Sequence, residues 1–347
     1  MSPRHFSRLG RKQRGLTLIE LLVALGLGLL VVVIAATALL LGQKGYRSVD
    51  TTTQLRDRER FATDLLARVI IQAGYQDLGA TSISLRSTAV QSGQNDPEPD
   101  VYGWNNAVYQ APANLFISET SNITSGNRPS SSLCTATDTS CKNGSDVLVV
   151  RYQGVTDPTD PTKPDNTVIN CMGFGESGLA TGSLNDRAAS VFHVTRGTNG
   201  EPSLSCSYYS FAATGGGWVA SQPLIEGVES FQVLFGTDGV TPLTAASAAA
   251  VQDTVSERWL RADQLTVAGN AAATRENWRR VRAVRVGLVL RGPVGSAEQA
   301  YADPFTPLGP MYASSSDTGS SLSVAADQRL RLQSTFTVHL RSDLTLR

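Results

Sequence analysis

The 347-residue chain balances 30 basic against 30 acidic side chains, which leaves no cationic surplus to hold a nucleic acid. Just over 300 residues follow the single long apolar run, ample for a folded core. With three histidines and four cysteines in no metal-ligand spacing, nothing calls for a metal or a cofactor.

Residues 1–15 carry Arg4, Arg8, Arg11, Lys12 and Arg14 and no acid. The positive-inside rule puts this end in the cytoplasm and the C-terminal bulk outside. Removing these five cations leaves 25 basic against 30 acidic residues, a mildly acidic remainder. An apolar segment then runs from Leu16 to Leu41, with no ionisable side chain between Leu21 and Gln43. Its length suits a bilayer-spanning helix, the one open-chain conformation that satisfies every backbone group in lipid. Ala24 and Gly28 form a small-xxx-small pair, readable equally as a helix-packing face or as tolerated glycine.

Glu20 sits in the first turn of this segment. A carboxylate there costs roughly 3 kcal/mol on insertion scales and needs a cation. Scission after Gly15 would create one, the amino group of Leu16, on the same or a neighbouring chain. Gly15-Leu16-Thr17-Leu18-Ile19-Glu20-Leu21-Leu22-Val23-Ala24-Leu25 resembles the class III signal of type IV pilins and type II secretion pseudopilins. The resemblance implies cleavage between Gly15 and Leu16 by a prepilin peptidase and N-methylation of Leu16. It also implies a filament-assembly charge pair made by Glu20. Leu16 departs from the family's usual phenylalanine. A secretory signal would instead have a shorter apolar core followed by its cleavage site.

Residues 43–76 read as an amphipathic continuation of the helix. Leu55, Ala62, Leu65, Leu66, Val69, Ile70 and Ala73 share one face, while Arg56, Asp57, Arg58, Glu59, Arg60, Asp64 and Arg68 fill most of the rest. Gly74 or Gly79 would stop it. Residues 16–42 are the membrane and filament half of this helix, roughly 55 residues long in all, and the pilin resemblance implies the same shape.

Residues 77–145 are loop-rich, with short strands expected at Val101-Tyr102 and Leu115-Phe116-Ile117. Asp96, Glu98 and Asp100 lack the spacing of a calcium loop. From 146 to 347 the pattern is antiparallel β. Strands are expected over 146–152, 167–171, 190–194, 204–209, 229–235, 281–291 and 332–341. The alternation in the last two predicts a sheet covered on one face by the helix. Short helices are expected at 275–279 and around 255–263. The expected fold class is therefore α+β: a pilin-like long helix on an antiparallel sheet, with an enlarged C-terminal β region.

Gly173-Phe174-Gly175-Glu176-Ser177-Gly178 matches a dinucleotide fingerprint, but no helix pattern follows it, so it reads as a loop. Asn122-Ile123-Thr124 and Asn143-Gly144-Ser145 are sequons by pattern and read as exposed loops. No catalytic constellation appears, and the chain reads as a non-enzyme. Cys134, Cys141, Cys171 and Cys206 all fall on the exported side, where disulfides persist. Four cysteines allow three pairings; Cys134–Cys141 with Cys171–Cys206 is the local one.

The order of later segments resembles the PilW-type minor pilins. These are Ala73-Gly74-Tyr75, 146–152, a cysteine after a strand, Gln222 to Phe231, Val281 to Val286 and a terminal strand. The resemblance implies a low-abundance, non-catalytic subunit that helps initiate the pilus and sits at or near its tip. The implied partners are the prepilin peptidase, other minor pilins, the major pilin, the inner-membrane assembly platform and the membrane itself. The implied location is the inner membrane, with the C-terminal domain in the periplasm, and then the pilus. A type II secretion minor pseudopilin and a ligand-binding tip adhesin are the alternatives.

Overall fold

The computed structural model describes residues 15, 17–75, 99–109, 123–125, 143–160, 163–178, 187–210, 217–247, 254–297, 299, 304–314, 317, 319–324 and 327–341. It divides into two units, residues 1–50 and 51–347. Helix α1 (Leu18–Ile71) runs through 54 residues and belongs to both.

In the first unit the helix is apolar all round, and every described side chain from Leu18 to Gln43 is exposed. A helix of that kind belongs in a protein core or in a bilayer.

In the second unit α1 buries Leu55, Ala62, Leu66, Val69, Ile70 and Ala73, so the helical stripe in the sequence is the face that packs. The helix ends at Ile71 and a turn closes it at Gly74, whose φ of +70° suits glycine. The Gly74 N–H donates to Arg151 O at 2.8 Å, and Gln153 N donates to Tyr75 O at 2.9 Å, so the chain leaves the helix against the end of a strand. Gln72 pins the same end by two hydrogen bonds to the backbone of Ile169.

Two antiparallel sheets share the core. The first has the order β1 (Val101–Trp104), β4 (Val147–Tyr152), β5 (Ala188–Arg196), β6 (Pro202–Ser210) and β7 (Gly217–Glu226). The second has the order β11 (Arg331–His339), β10 (Val281–Arg291), β8 (Val228–Thr237) and β9 (Arg258–Leu260). A small pair, β2 (Val108–Tyr109) with β3 (Ile123–Ser125), stands apart. Helix α2 (Ala271–Arg279) carries Trp278, whose ring packs on Tyr102 and Phe235. Asn270 caps α2 by accepting from Ala273 N at 3.0 Å.

Gly227 alone separates β7 from β8 and turns the chain from one sheet into the other. Its N–H donates to Pro202 O at 2.7 Å in the first sheet, and its carbonyl accepts from Arg291 N at 2.8 Å in the second. Its φ is +89°, and a Cβ there would stand 2.6 Å from Arg291 O. Only glycine fits this corner.

Several expectations need correction. The second sheet is not covered on one face only: β8 is buried at all ten positions and β10 at nine of eleven. The segment around Pro307 lies across the outer face of β10, where Gly287 leaves room for it; a Cβ on Gly287 would meet Pro307 O at 2.4 Å. One-sided alternation survives only in the edge strand β11. Residues 167–171 form no strand, only an isolated bridge between Ile169 and Gly175. There the Asn170 side chain turns the backbone by accepting from Met172 N and Phe174 N. Residues 255–263 form β9 and the start of a single 3-10 turn (Ala262–Leu265) rather than a helix, because β9 adds to the edge of β8. Strand β7 was not foreseen. Pro223 argues against a strand, yet β7 lies at a sheet edge with irregular register beside it, where proline is tolerated.

The Asn143 sequon is not an exposed loop either. Asn143 Nδ2 donates to Glu229 O at 2.8 Å, and Gly144 and Ser145 are buried. The glycines at 173–178 do form a loop: a Cβ on Gly175 would strike Asn166 Oδ1, and one on Gly178 would strike Thr156 Oγ1. Leu115 to Ile117, Asp96, Glu98 and Asn122 lie outside the described residues. Asp100 is described and is ion-paired with Arg187.

Candidate functional site

The N-terminus of α1 is built as a reciprocal cap. Thr17 N and Thr17 Oγ1 both donate to Glu20 Oε2 at 3.1 Å, and Glu20 N donates to Thr17 Oγ1 at 3.3 Å. This is a capping box, which satisfies two amide donors at the helix start. The carboxylate also lies where the helix dipole favours negative charge. Glu20 therefore has a local role that the sequence reading overlooked, although the Thr-x-x-Glu spacing was there to be read. Scission between Gly15 and Leu16 would leave every atom of this box in place. Gly15 and Thr17 are exposed on either side of that bond, and Leu16 itself lies outside the described residues. A Cβ on Gly26 or Gly28 would meet nothing within 4 Å among the described residues, so the small-residue face is open there.

In the second unit, α1 is clamped to both sheets. Arg58 Nη1 donates to Glu226 O at 3.2 Å, beside the Gly227 corner, and Ser334 Oγ donates to Glu59 Oε1 at 2.6 Å from β11. The outward face keeps Arg56, Asp57, Arg60, Asp64 and Arg68 exposed, with Phe61 55% exposed among them.

An ion-pair network closes the corner. Arg291 bridges Glu201 at 3.0 Å and Glu229 at 3.1 Å. Arg329 holds Glu201 at 2.8 Å. Arg331 holds Glu229 at 2.7 Å and Asp327 at 2.8 Å. Burial alone would raise Glu201, but hydrogen bonds and charge from Arg329 and Arg291 hold its carboxyl below the ordinary value. The partners come from β8, β10, β11 and the segments that lead into β6 and β11, up to 128 residues apart. No local sequence pattern announces such a cluster.

Cys171 and Cys206 are joined in a disulfide, with Cα atoms 6.2 Å apart, both buried between the 163–178 loop and β6. Cys134 and Cys141 lie outside the described residues.

The remaining buried ionisable groups suit a core rather than a reaction. Burial pushes His193 down to about 3, and it raises Tyr109 to about 12, with a Ser207 hydrogen bond opposing. Both are neutral near pH 7 and exchange no protons there. Asp146 is pushed up by burial and by the charge of Asp317, while Asn106 N and Val233 N donate to its oxygens at 2.9 and 2.7 Å. Among the described residues no three histidines, cysteines or acids gather to hold a metal ion.

Comparison with known proteins agrees with this reading. Residues 10–36 match the family model described as the prokaryotic N-terminal methylation motif. Together with the long apolar helix and the antiparallel head, this motif defines a membrane-anchored, pilin-class structural protein, not an enzyme. Residues 191–342, from β5 through β11, match the model described as Type IV Pilus-assembly protein W, which together with the methylation motif supports a type IV pilus minor pilin of the PilW type. A type IV-like pilin from Thermus thermophilus is similar in structure at 13% identity and a TM-score of 0.37, covering 82% of this chain and 96% of its own. No curated protein matches the chain.

Proposed function

We propose that this minor pilin helps to initiate type IV pilus assembly and sits at or near the pilus tip. The observation that carries the reading is a methylation-type N-terminus joined in one chain to a PilW-type head. The basic leader holds the N-terminus in the cytoplasm, and the head faces the periplasm. Prepilin peptidase cuts between Gly15 and Leu16 and methylates Leu16. The helix then waits in the inner membrane until the assembly platform brings in other minor pilins and the major pilin.

Glu20 has two partners in this scheme. Before assembly it completes the cap with Thr17; on docking, it accepts the Leu16 amino group of a neighbouring helix. A desolvated pair of this kind enforces register, because removing one partner strands the other charge.

The test begins with the intact mass and N-terminal sequence of the membrane-recovered chain, which should start at methylated Leu16. The Glu20→Ala variant, in a strain lacking the native gene, should be cleaved normally and yield at least tenfold fewer pili. Normal pilus numbers in that strain would refute the charge-pair role. A deletion strain that keeps its pili but loses protein secretion would move the chain to the type II secretion system. Binding of a surface ligand by the chain, with piliation intact after deletion, would favour the adhesin reading.

A further inference from the structure

The outer face of the second sheet carries a construction that the pilin reading does not use. Arg285 projects from β10, with Leu234 on β8 and Thr337 on β11 as its cross-strand neighbours. Its guanidinium carbon lies 4.2 Å from the centre of the Trp259 ring and 5.3 Å from that of Tyr312. The two rings reach it because the sheet has glycine where they must approach. Trp259 on β9 lies directly opposite Gly236, where a Cβ would come within 3.1 Å of the indole and 2.7 Å of Ser256 Oγ. Tyr312 arrives on the segment seated over Gly287, which is tied down by Thr335 Oγ1 donating to Pro307 O at 2.5 Å and by Thr306 N donating to Gln333 Oε1 at 3.1 Å. The 3-10 turn Pro310–Tyr312 then delivers the ring and leaves Met311 89% exposed beside it.

Among the described residues no carboxylate answers this charge. Arg285 Nε donates to Thr337 Oγ1 at 3.3 Å, and among the described residues no acceptor meets its two terminal nitrogens. Arg282, Arg291 and Arg331, on the same sheet, all reach carboxylates. A guanidinium fixed by aromatic faces keeps its edge free for a bidentate carboxylate. Cation–π contacts alone would account for a stabilising stack. They do not account for a partly exposed fork with no carboxylate among the described residues, beside a protruding methionine. Tryptophan, tyrosine, arginine and methionine are the residues enriched at protein–protein interfaces, and the first three dominate their hot spots.

We infer that Trp259, Arg285, Met311 and Tyr312 form a docking site for a neighbouring pilin subunit that presents a carboxylate flanked by an apolar side chain. The class of partner rests on the pilin reading; the chemistry of the site rests on its geometry. Charge complementarity selects the acid, and the exposed Met311 makes the site an open platform suited to a protein surface.

The test places a photo-crosslinking amino acid at Ala313, exposed next to the platform, in the full-length chain expressed in its own cells. Irradiation should give one discrete adduct, with the crosslinked peptide belonging to another pilin of the system and containing Asp or Glu. Arg285→Met, which keeps the apolar stem between the rings, should lower the adduct yield at least tenfold, and Arg285→Glu should abolish it. Met311→Glu, a change of an exposed side chain, should also abolish it without altering protease resistance. Changing the partner's acid to Arg should restore the adduct with Arg285→Glu. No adduct, an adduct to lipid or polysaccharide, or yields within twofold of the parent in both Arg285→Met and Met311→Glu would overturn the inference. Pilus counts in a deletion strain separate the two levels. Pili lost with no adduct sinks the site alone, whereas pili intact with an Arg285-dependent adduct to an acidic non-pilus protein sinks the pilin partner and keeps the platform.

Discussion

Replacing Cys171 and Cys206 together by alanine tests the link between the helix end and the head. Alanine adds no polar group to a buried position, unlike serine. The two cysteines are 35 residues apart, and the chain-entropy relation for a loop of that size gives about 4 kcal/mol of stabilisation. For a unit of this size each kcal/mol moves the midpoint by roughly 2–4 °C, so the variant should melt ~8–15 °C lower. The loss should be felt first at the end of α1, because the loop stapled by Cys171 also carries Ile169, the hydrogen-bond partner of Gln72. The assay is thermal unfolding of the full-length chain in detergent, followed by tryptophan fluorescence, with and without reductant. Reduced wild type should melt at or below the temperature of the unreduced variant. Hydrogen exchange at Ala73 and Gly74 should accelerate in the variant. A melting point within a few degrees of wild type, with unchanged exchange there, would refute the reasoning.

Two further outcomes follow from the corner and its network. Gly227→Ala combines a left-handed backbone with a contact of 2.6 Å to Arg291 O, and should cost about 3 kcal/mol in urea unfolding. Gly295→Ala shares the positive φ, at +78°, but has nothing within 4 Å, and should cost only about 1 kcal/mol. Equal losses would show that close packing at the corner is unimportant. In the network, Glu201 and Asp327 both have carboxyls held below their ordinary values, Asp327 chiefly by hydrogen bonds from Arg331. A depressed folded-state value contributes stability above the unfolded value, near pH 4, and that stability is lost as pH falls through the folded value. Glu201→Gln should therefore be less stable than wild type at pH 7, with the gap closing below about pH 4. A gap that stays constant from pH 7 to pH 3 would show that the pair contributes nothing electrostatic.

What the sequence determined by itself was whatever depends on neighbours a few residues apart. The apolar run from Leu16, the stripe from Leu55 to Ala73, the stop at Gly74 and the alternation of β10 and β11 all follow from backbone periodicity. The cap between Thr17 and Glu20 was equally local. The tertiary structure decided everything carried by distant partners. Whether β8 shows one face or none to solvent depends on a segment near Gly319, which packs on the Gln232 side chain from some eighty residues further on. Pro223 is acceptable because β7 happens to be an edge, which no property of residues 217–226 reveals. Arg331 meets Glu229 across 102 residues, and Arg285 meets Trp259 and Tyr312 only because Gly236 and Gly287 make room on the sheet. Periodicity encodes which face of an element is apolar. Which element covers that face, and which charges meet at its rim, is settled by the packing of the whole chain.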